Sequence, residues 1–84
     1  MPRVVRNPDL LLYWLDEQLF IKDLRKGTRA IASTEVIAVL DAFSRPRHPT
    51  KAIEALEGYE AGSVRRAIRR LTQLGFLLSE KEGR

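Results

Sequence analysis

The chain contains no cysteine and a single histidine, His48, and these two shortages exclude several kinds of chemistry. Disulfide stapling needs paired cysteines, and a tetrahedral zinc site draws its ligands mainly from cysteine and histidine. A Ser-His-Asp arrangement would depend on this one histidine, which stands between an arginine and a proline in a loop. The carboxylates form no cluster in the sequence. We therefore expect no catalytic site, no metal and no other cofactor on this chain.

Long apolar runs and repeated glycines are also missing. No run approaches the roughly 18 apolar residues that a membrane span requires, and the N-terminus lacks the apolar core of a secretory signal. The glycines occur singly, so no glycine-rich phosphate loop is present. These absences predict a cytoplasmic protein. The length of 84 residues predicts one domain over residues 1–84, with its core at about residues 6–78 and a polar tail at residues 79–84.

Positive charge is concentrated in one segment. The net charge is +4, and the segment from Ser63 to Gly75 contains four arginines and no acidic residue. An arginine-rich face without interleaved acids favours an acidic partner over a merely solvated surface. Electrostatic recognition is therefore expected to centre on this segment.

The first third of the chain predicts an antiparallel meander. The apolar run at residues 10–15 (LLLYWL) predicts a buried strand in which Tyr13 or Trp14 faces the core. A polar turn at residues 16–18 leads to a second strand at residues 19–24, which completes a hairpin. A third strand at residues 29–32 is expected at an edge of the sheet.

The apolar period then changes to that of helices. Ser33 or Thr34 is expected to cap a first helix that runs to about Phe43. The prolines of the following loop cannot continue this helix. Thr50 is expected to cap a short second helix, with Gly58 as its stop.

A third helix is predicted with Ser63 as its cap and Gly75 as its end, followed by a short strand or extended arm at residues 76–78. One face of this helix is apolar and the rest is strongly basic. The fold class is therefore α+β, similar to a winged helix-turn-helix, with a three-stranded antiparallel sheet followed by three helices.

This order of elements makes DNA binding one hypothesis, because the third helix of a winged helix-turn-helix commonly enters the major groove. Two features argue against it. The spacer from Gly58 to Gly62 is longer than a tight helix-helix turn, and the segment after Phe76 carries Glu80 and Glu82 in place of a basic wing.

Several stretches of the chain resemble a known family. The segments RNPDLLLYW, GTRAIAS, VLDAFSRPRHPTKAIEAL and SVRRAIRRLTQLGFLL are similar to the small N-terminal domain of SagB-type azoline dehydrogenases. These are flavin enzymes of thiazole/oxazole-modified microcin biosynthesis, and their N-terminal domain resembles a PqqD-like RiPP precursor peptide recognition element (RRE). The similarity covers about Arg6 to Leu78. The chain stops where the flavin-binding domain would begin, so flavin would belong to the absent partner domain.

The resemblance implies a domain that captures the leader segment of a ribosomally made precursor peptide for a modifying enzyme or dehydrogenase domain. In such modules the leader adds as a strand beside the third strand and lays side chains in the groove along the third helix, which is β-augmentation. Small Ala30 and Ala32 would leave room for the incoming chain. The implied peptide-binding residues are Arg29, Ala30, Ile31, Ala32, Arg65, Ile68, Arg69 and Thr72.

Helical spacing leaves two arrangements of the third helix open. Arg65, Arg69 and Thr72 follow one flank of the apolar stripe, while Arg66 and Arg70 follow the other. We choose the first flank, with Ile68 at the groove floor and an acidic leader as the partner. Because a free edge strand can also pair with a second copy, a homodimeric scaffold is a third hypothesis beside peptide and DNA binding.

Overall fold

Four strands come first, three helices follow, and a short strand ends the order of elements. The structure is a computed structural model that describes residues 2–81. It confirms an α+β fold with a three-stranded antiparallel sheet, a second sheet of two strands, and three helices. In chain order the elements are β1 (Val4–Arg6), β2 (Leu10–Leu15), β3 (Gln18–Asp23), β4 (Arg29–Ile31), α1 (Thr34–Ala42), α2 (Pro49–Ala55), α3 (Ala61–Gln73) and β5 (Leu77–Ser79).

The larger sheet is the predicted meander, in the order β2-β3-β4 with both pairs antiparallel. Leu12 and Ala30 lie opposite Ile21 of the central strand, on the face towards the core. Tyr13 is opposite Phe20 on the outer face, because successive side chains point to opposite faces. Within residues 2–81, β4 pairs with β3 alone, so the prediction of an edge strand is confirmed.

The hairpin between β2 and β3 turns on only two residues. Asp16 and Glu17 have φ values of 50° and 63°, and positive φ at both central positions is the geometry of a type I′ turn. This turn matches the right-handed twist of the flanking strands. The second strand therefore begins at Gln18, one residue earlier than predicted.

The prediction that β2 is a buried strand is wrong. Trp14 is 70% exposed and Leu11, Leu12 and Leu15 are 40–49% exposed, while Tyr13 is half-buried. The main packing partner of β2 is β3. The apolar side chains of β2 are therefore left largely uncovered by the helices. A short apolar run indicates a strand, but it does not say what covers that strand.

The two ends of the chain meet in a sheet that the sequence did not predict. β1 pairs antiparallel with β5, with Val5 opposite Leu78. The polar tail was predicted to begin at Ser79, but Ser79 belongs to β5 and the N–H of Glu80 donates to the carbonyl of Arg3 at 2.9 Å. The Arg3 guanidinium also pairs with the Glu80 carboxylate at 2.6 Å. Of the predicted tail, residues 82–84 lie outside the described residues.

The helix starts differ from the predictions in two of three cases. Ser33 caps α1 as expected, and its hydroxyl accepts a hydrogen bond from a backbone N–H. His48, and not Thr50, is the N-cap of α2, because Pro49 occupies the first helical position, where its missing N–H costs nothing. Glu60, and not Ser63, caps α3.

The core lies between the larger sheet and the helices, and the predicted apolar helix faces supply most of it. It also takes in the segment after α3. Its buried apolar members are Ile21, Ala32, Val39, Leu40, Phe43, Ala52, Val64, Ile68, Leu71, Phe76 and Leu77.

Candidate functional site

The free edge of β4 presents the backbone groups of alternate residues. The carbonyl of Thr28 accepts a hydrogen bond from the β3 backbone at 2.8 Å, and the N–H of Ala32 donates to the β3 backbone at 2.9 Å. Hydrogen-bonded and non-hydrogen-bonded pairs alternate along an antiparallel ladder, so Ala30 also bonds to β3. Arg29 and Ile31 therefore direct their N–H and C=O groups away from the sheet. These are the groups to which a further strand would bond.

The two small residues of the predicted site face the core. Ala32 is 5% exposed, and Ala30 is half-buried and packs against the core cluster. Their methyl groups point towards the core, so any room that they leave for an incoming chain lies on the inner face of the sheet. Their contribution is to bring β4 close to the core, while Arg29 and Ile31 form the accessible part of the strand.

An apolar row crosses the outer face of the sheet and ends at this edge. The rings of Tyr13 and Phe20 stack at 5.6 Å between centroids, and Ile31 lies opposite Phe20 in the next strand. The guanidinium of Arg29 lies 5.9 Å from the centroid of the Phe20 ring, within cation–π range. Ile31 is 59% exposed, so the row remains open to a further side chain at the edge.

Contacts at its two ends link α3 to the segments before and after β4. At one end, the hydroxyl of Ser63 donates to the carboxylate of Glu35 at 2.8 Å, and Glu35 lies in the first turn of α1, directly after β4. At the other end, Leu74 and Thr28 line the same cavity of about 630 Å³. The start of α3 therefore lies near the end of β4, and its end near the start of β4. We use the name groove for the surface that runs from β4 to α3 between these two contacts.

The residues of α3 at these two contacts, Ser63 and Leu74, lie on one side of the helix. Ser63, Ala67, Arg70 and Leu74 follow one another at helical spacings of four, three and four residues, which places them on one stripe. Ser63, Ala67 and Leu74 are half-buried, and Arg70 is exposed. We call these four residues the groove stripe.

The flank chosen from the sequence lies on the opposite side of the apolar stripe. Arg65 and Arg69 are exposed there, about half a helical turn away from Ser63 and Ala67. Ile68 is 9% exposed and belongs to the core. Thr72 borders the cavity at the helix end, and its hydroxyl donates to the Ile68 carbonyl at 2.7 Å. Residues on both sides of the apolar stripe therefore meet other segments, since Ser63 contacts Glu35 and Thr72 lines the same cavity as Leu74.

The rim of the groove is basic. Arg29 lies on the strand, Arg70 on the helix, and Lys26 lines the cavity at the end where these elements diverge. Within residues 2–81 no carboxylate forms an ion pair with Arg29 or Arg70, while the charge of Lys26 also acts on the buried Asp23 carboxylate and helps to lower its pKa. Glu35 is the acidic residue at the opposite end of the groove, and its carboxylate accepts a hydrogen bond from the Ser63 hydroxyl.

Glu60 holds the first turn of α3. Its carboxylate accepts hydrogen bonds from the N–H groups of Gly62 and Ser63, both at 2.8 Å. These bonds, more than the nearby charges of Arg66 and Arg65, hold the pKa of Glu60 below its ordinary value. Glu60 therefore stays ionised at the positive end of the helix dipole, where a negative charge stabilises the helix.

No protein-family model matches the chain, and no curated protein matches it in sequence. Among residues 2–81, no group of three or more histidine, aspartate or glutamate side chains is placed to hold a metal ion. No helix in the described part of the chain is both long and apolar enough to cross a membrane.

Proposed function

We propose that this domain recognises the leader segment of a ribosomally made precursor peptide by adding it as a strand to the free edge of β4. The observation that carries the proposal is the outward direction of the Arg29 and Ile31 backbone groups on the free edge of β4. Main-chain hydrogen bonds supply affinity in such an addition, and pockets for alternate side chains supply specificity. The domain itself would perform no chemistry, and a partner such as an azoline dehydrogenase would modify the bound peptide.

The geometry supports two environments for the side chains of the added strand. A peptide residue opposite Ile31 would project to the outer face, beside the row that contains Phe20. Its neighbours would project to the inner face, towards Ala67 and Leu74 of the groove stripe. Since successive side chains of a strand alternate, we expect the recognised segment to carry apolar residues at alternate positions.

The charges of the groove support an acidic leader. Arg29, Arg70 and Lys26 rim the groove, and each exposed pair with a ligand carboxylate contributes roughly 0.2–1 kcal/mol. Because exposed pairs are screened by salt, part of the affinity is expected to fall as ionic strength rises. The hydrogen bonds along the strand are less sensitive to salt, so binding should survive at physiological ionic strength.

The exposed arginines of α3 support a second candidate, a winged-helix DNA-binding domain. Arg65, Arg66, Arg69 and Arg70 are all exposed, which is what contact with phosphates requires. In this alternative α3 enters the major groove and every arginine contributes to affinity. The peptide proposal, in contrast, gives Arg70 a role and leaves Arg69 on the far flank.

The test is a fluorescence-polarisation titration of the full chain against labelled acidic peptides with alternating apolar residues and, in parallel, against a random DNA duplex. Saturable peptide binding at physiological salt supports the proposal. Ile31→Pro removes an outward N–H and is expected to abolish binding, whereas Ile31→Ala keeps that N–H and should reduce affinity only a few-fold. Duplex binding without a peptide signal would overturn the proposal.

A pair of charge reversals separates the two candidates further. Arg70→Glu is expected to weaken binding of acidic peptides about five- to tenfold, since a reversed charge costs on the order of 1 kcal/mol. Arg69→Glu is the matched control, because it makes the same change on the opposite flank of α3. An equal loss in both variants, with duplex as the ligand, would favour DNA binding.

A further inference from the structure

The larger sheet has a second free edge, along β2. The N–H of Leu24 donates to the carbonyl of Asp9 at 2.9 Å, which fixes the alternation of the β2–β3 ladder. The odd-numbered residues of β2 therefore bond to β3, and the even-numbered residues direct their N–H and C=O groups outward. The outward residues are Leu10, Leu12 and Trp14. Within residues 2–81, no other strand pairs with this edge.

This edge has none of the protection that edge strands usually carry. Residues 10–15 include no charged residue and no proline, and Trp14 is 70% exposed. Natural edges are normally blunted by lysine, proline, bulges or short length, because an open apolar edge pairs with other chains. The β4 edge differs in being three residues long and carrying Arg29. The two edges therefore suit different occupants.

We propose that β2 pairs with β2 of a second copy of this chain, antiparallel about a two-fold axis at Leu12. In this register Leu12 opposes Leu12 of the other copy, and Leu10 opposes Trp14 in both directions. All three pairs bring outward N–H and C=O groups together, so the ladder is satisfied without any residue changing its bonds to β3. The result is a continuous sheet in the order β4-β3-β2-β2-β3-β4.

A second copy fits this edge because the strand is complementary to itself. The pairing places apolar side chains opposite apolar side chains on both faces, and residues 10–15 contribute no like charges to the contact. The arginines that give the chain most of its net charge of +4 lie on α3 and not on this strand. Exposed Leu12 would pack against Leu12 of the other copy and exposed Trp14 against its Leu10, and both β4 edges would stay free.

The test measures the mass of the full chain by light scattering after gel filtration, over a range of concentrations and without peptide. We expect twice the monomer mass at high concentration. Trp14 is the only tryptophan, so its emission should shift to shorter wavelength as the dimer forms. Leu12→Pro removes an N–H that bonds to nothing within the chain, and it should give a monomer with an unchanged circular dichroism spectrum.

Two further variants keep the outcome clear. Leu12→Lys brings two like charges together at the axis and should also give a monomer, without any effect on the backbone. Ile31→Pro makes the equivalent change on the β4 edge and should leave the dimer mass unchanged. A wild-type monomer at every concentration, or a dimer that Ile31→Pro disrupts and Leu12→Pro does not, overturns the proposal. Because no peptide is present, these outcomes are independent of the proposed function.

Discussion

The side-chain amide of Asn7 donates to the Asp23 carboxylate at 3.0 Å and to the Gly75 carbonyl at 2.9 Å. Asn7 and Asp23 are 6% and 1% exposed, so this is the buried polar link of the described chain. Asp23 also accepts hydrogen bonds from the N–H groups of Arg25 and Lys26, at 2.9 and 3.1 Å. The network joins the end of β3, the turn before β4 and the end of α3. It therefore fixes the strand edge relative to the helix that borders the groove.

Asn7→Ala is expected to lower the free energy of unfolding by about 1–3 kcal/mol, because it removes one of the hydrogen-bond donors to the buried Asp23 carboxylate and the side-chain donor to the Gly75 carbonyl. In a domain of this size each kcal/mol lowers Tm by roughly 4–8 °C. Thermal unfolding followed by circular dichroism measures the change. Gln73→Ala removes an exposed amide and should change Tm little. Equal shifts in both variants would contradict a role for the buried network.

Stability should fall at acid pH through Asp23. Burial raises the pKa of its carboxyl group, but the hydrogen bonds from Lys26, Arg25 and Asn7 outweigh burial and hold that pKa below its ordinary value. A carboxyl group whose pKa is lower in the folded state stabilises the fold above its unfolded pKa of about 3.9, and this contribution is lost as pH falls through the folded value.

The measurement is the urea midpoint between neutral pH and pH of about 3, a range that brackets the unfolded pKa. We expect the midpoint of the wild type to fall below about pH 4, and Asp23→Asn to show a lower midpoint at neutral pH with a shallower acid decline. Glu60→Gln is the comparison, because the pKa of Glu60 is also lowered but Glu60 is exposed. An acid decline in Asp23→Asn as steep as that of the wild type would exclude Asp23 as its source.

Local patterns predicted the elements of the fold but not their neighbours. Short apolar runs separated by turn residues located β2, β3 and β4, and apolar residues at helical spacing together with capping residues located the three helices. Burial of β2 was mispredicted because LLLYWL is equally apolar whether another element covers it or leaves it open. The pairing of β1 with β5 joins residues more than seventy positions apart, and such short segments carry no periodic signal.

The elements of the candidate site could be predicted from the sequence, but the way in which they face one another could not. The edge position of β4 and the basic face of α3 followed from order and composition. Helical spacing defined two flanks of α3 but could not show that Ser63 meets the start of α1, since the Ser63–Glu35 contact joins distant segments. The sequence also could not predict which residues of β4 bond to β3 and which direct their backbone groups outward, because this depends on the register with β3.

Glu17→Gly is expected to stabilise the domain. Glu17 has a φ of 63°, a conformation that costs a residue with a Cβ roughly 1–2 kcal/mol and glycine almost nothing. The greater freedom of glycine in the unfolded chain offsets part of this gain, so we expect a net increase of about 0.5–1 kcal/mol in the free energy of unfolding. Gln18→Gly, one position later in regular strand, should destabilise, and a loss of stability in both variants would contradict the type I′ turn.

Proline substitutions in β4 test the direction of its backbone groups, independently of any ligand. Ala30→Pro removes an N–H that bonds to β3, so we expect a loss of about 1–3 kcal/mol. Ile31→Pro removes an N–H that faces outward, and proline is tolerated at such positions of an edge strand, so the loss should be much smaller. The urea midpoints of the two variants provide the comparison. Ala30→Pro is thus unsuitable for testing ligand binding, because it damages the sheet itself. A greater loss of stability in Ile31→Pro than in Ala30→Pro would mean that Ala30, and not Ile31, directs its backbone groups outward.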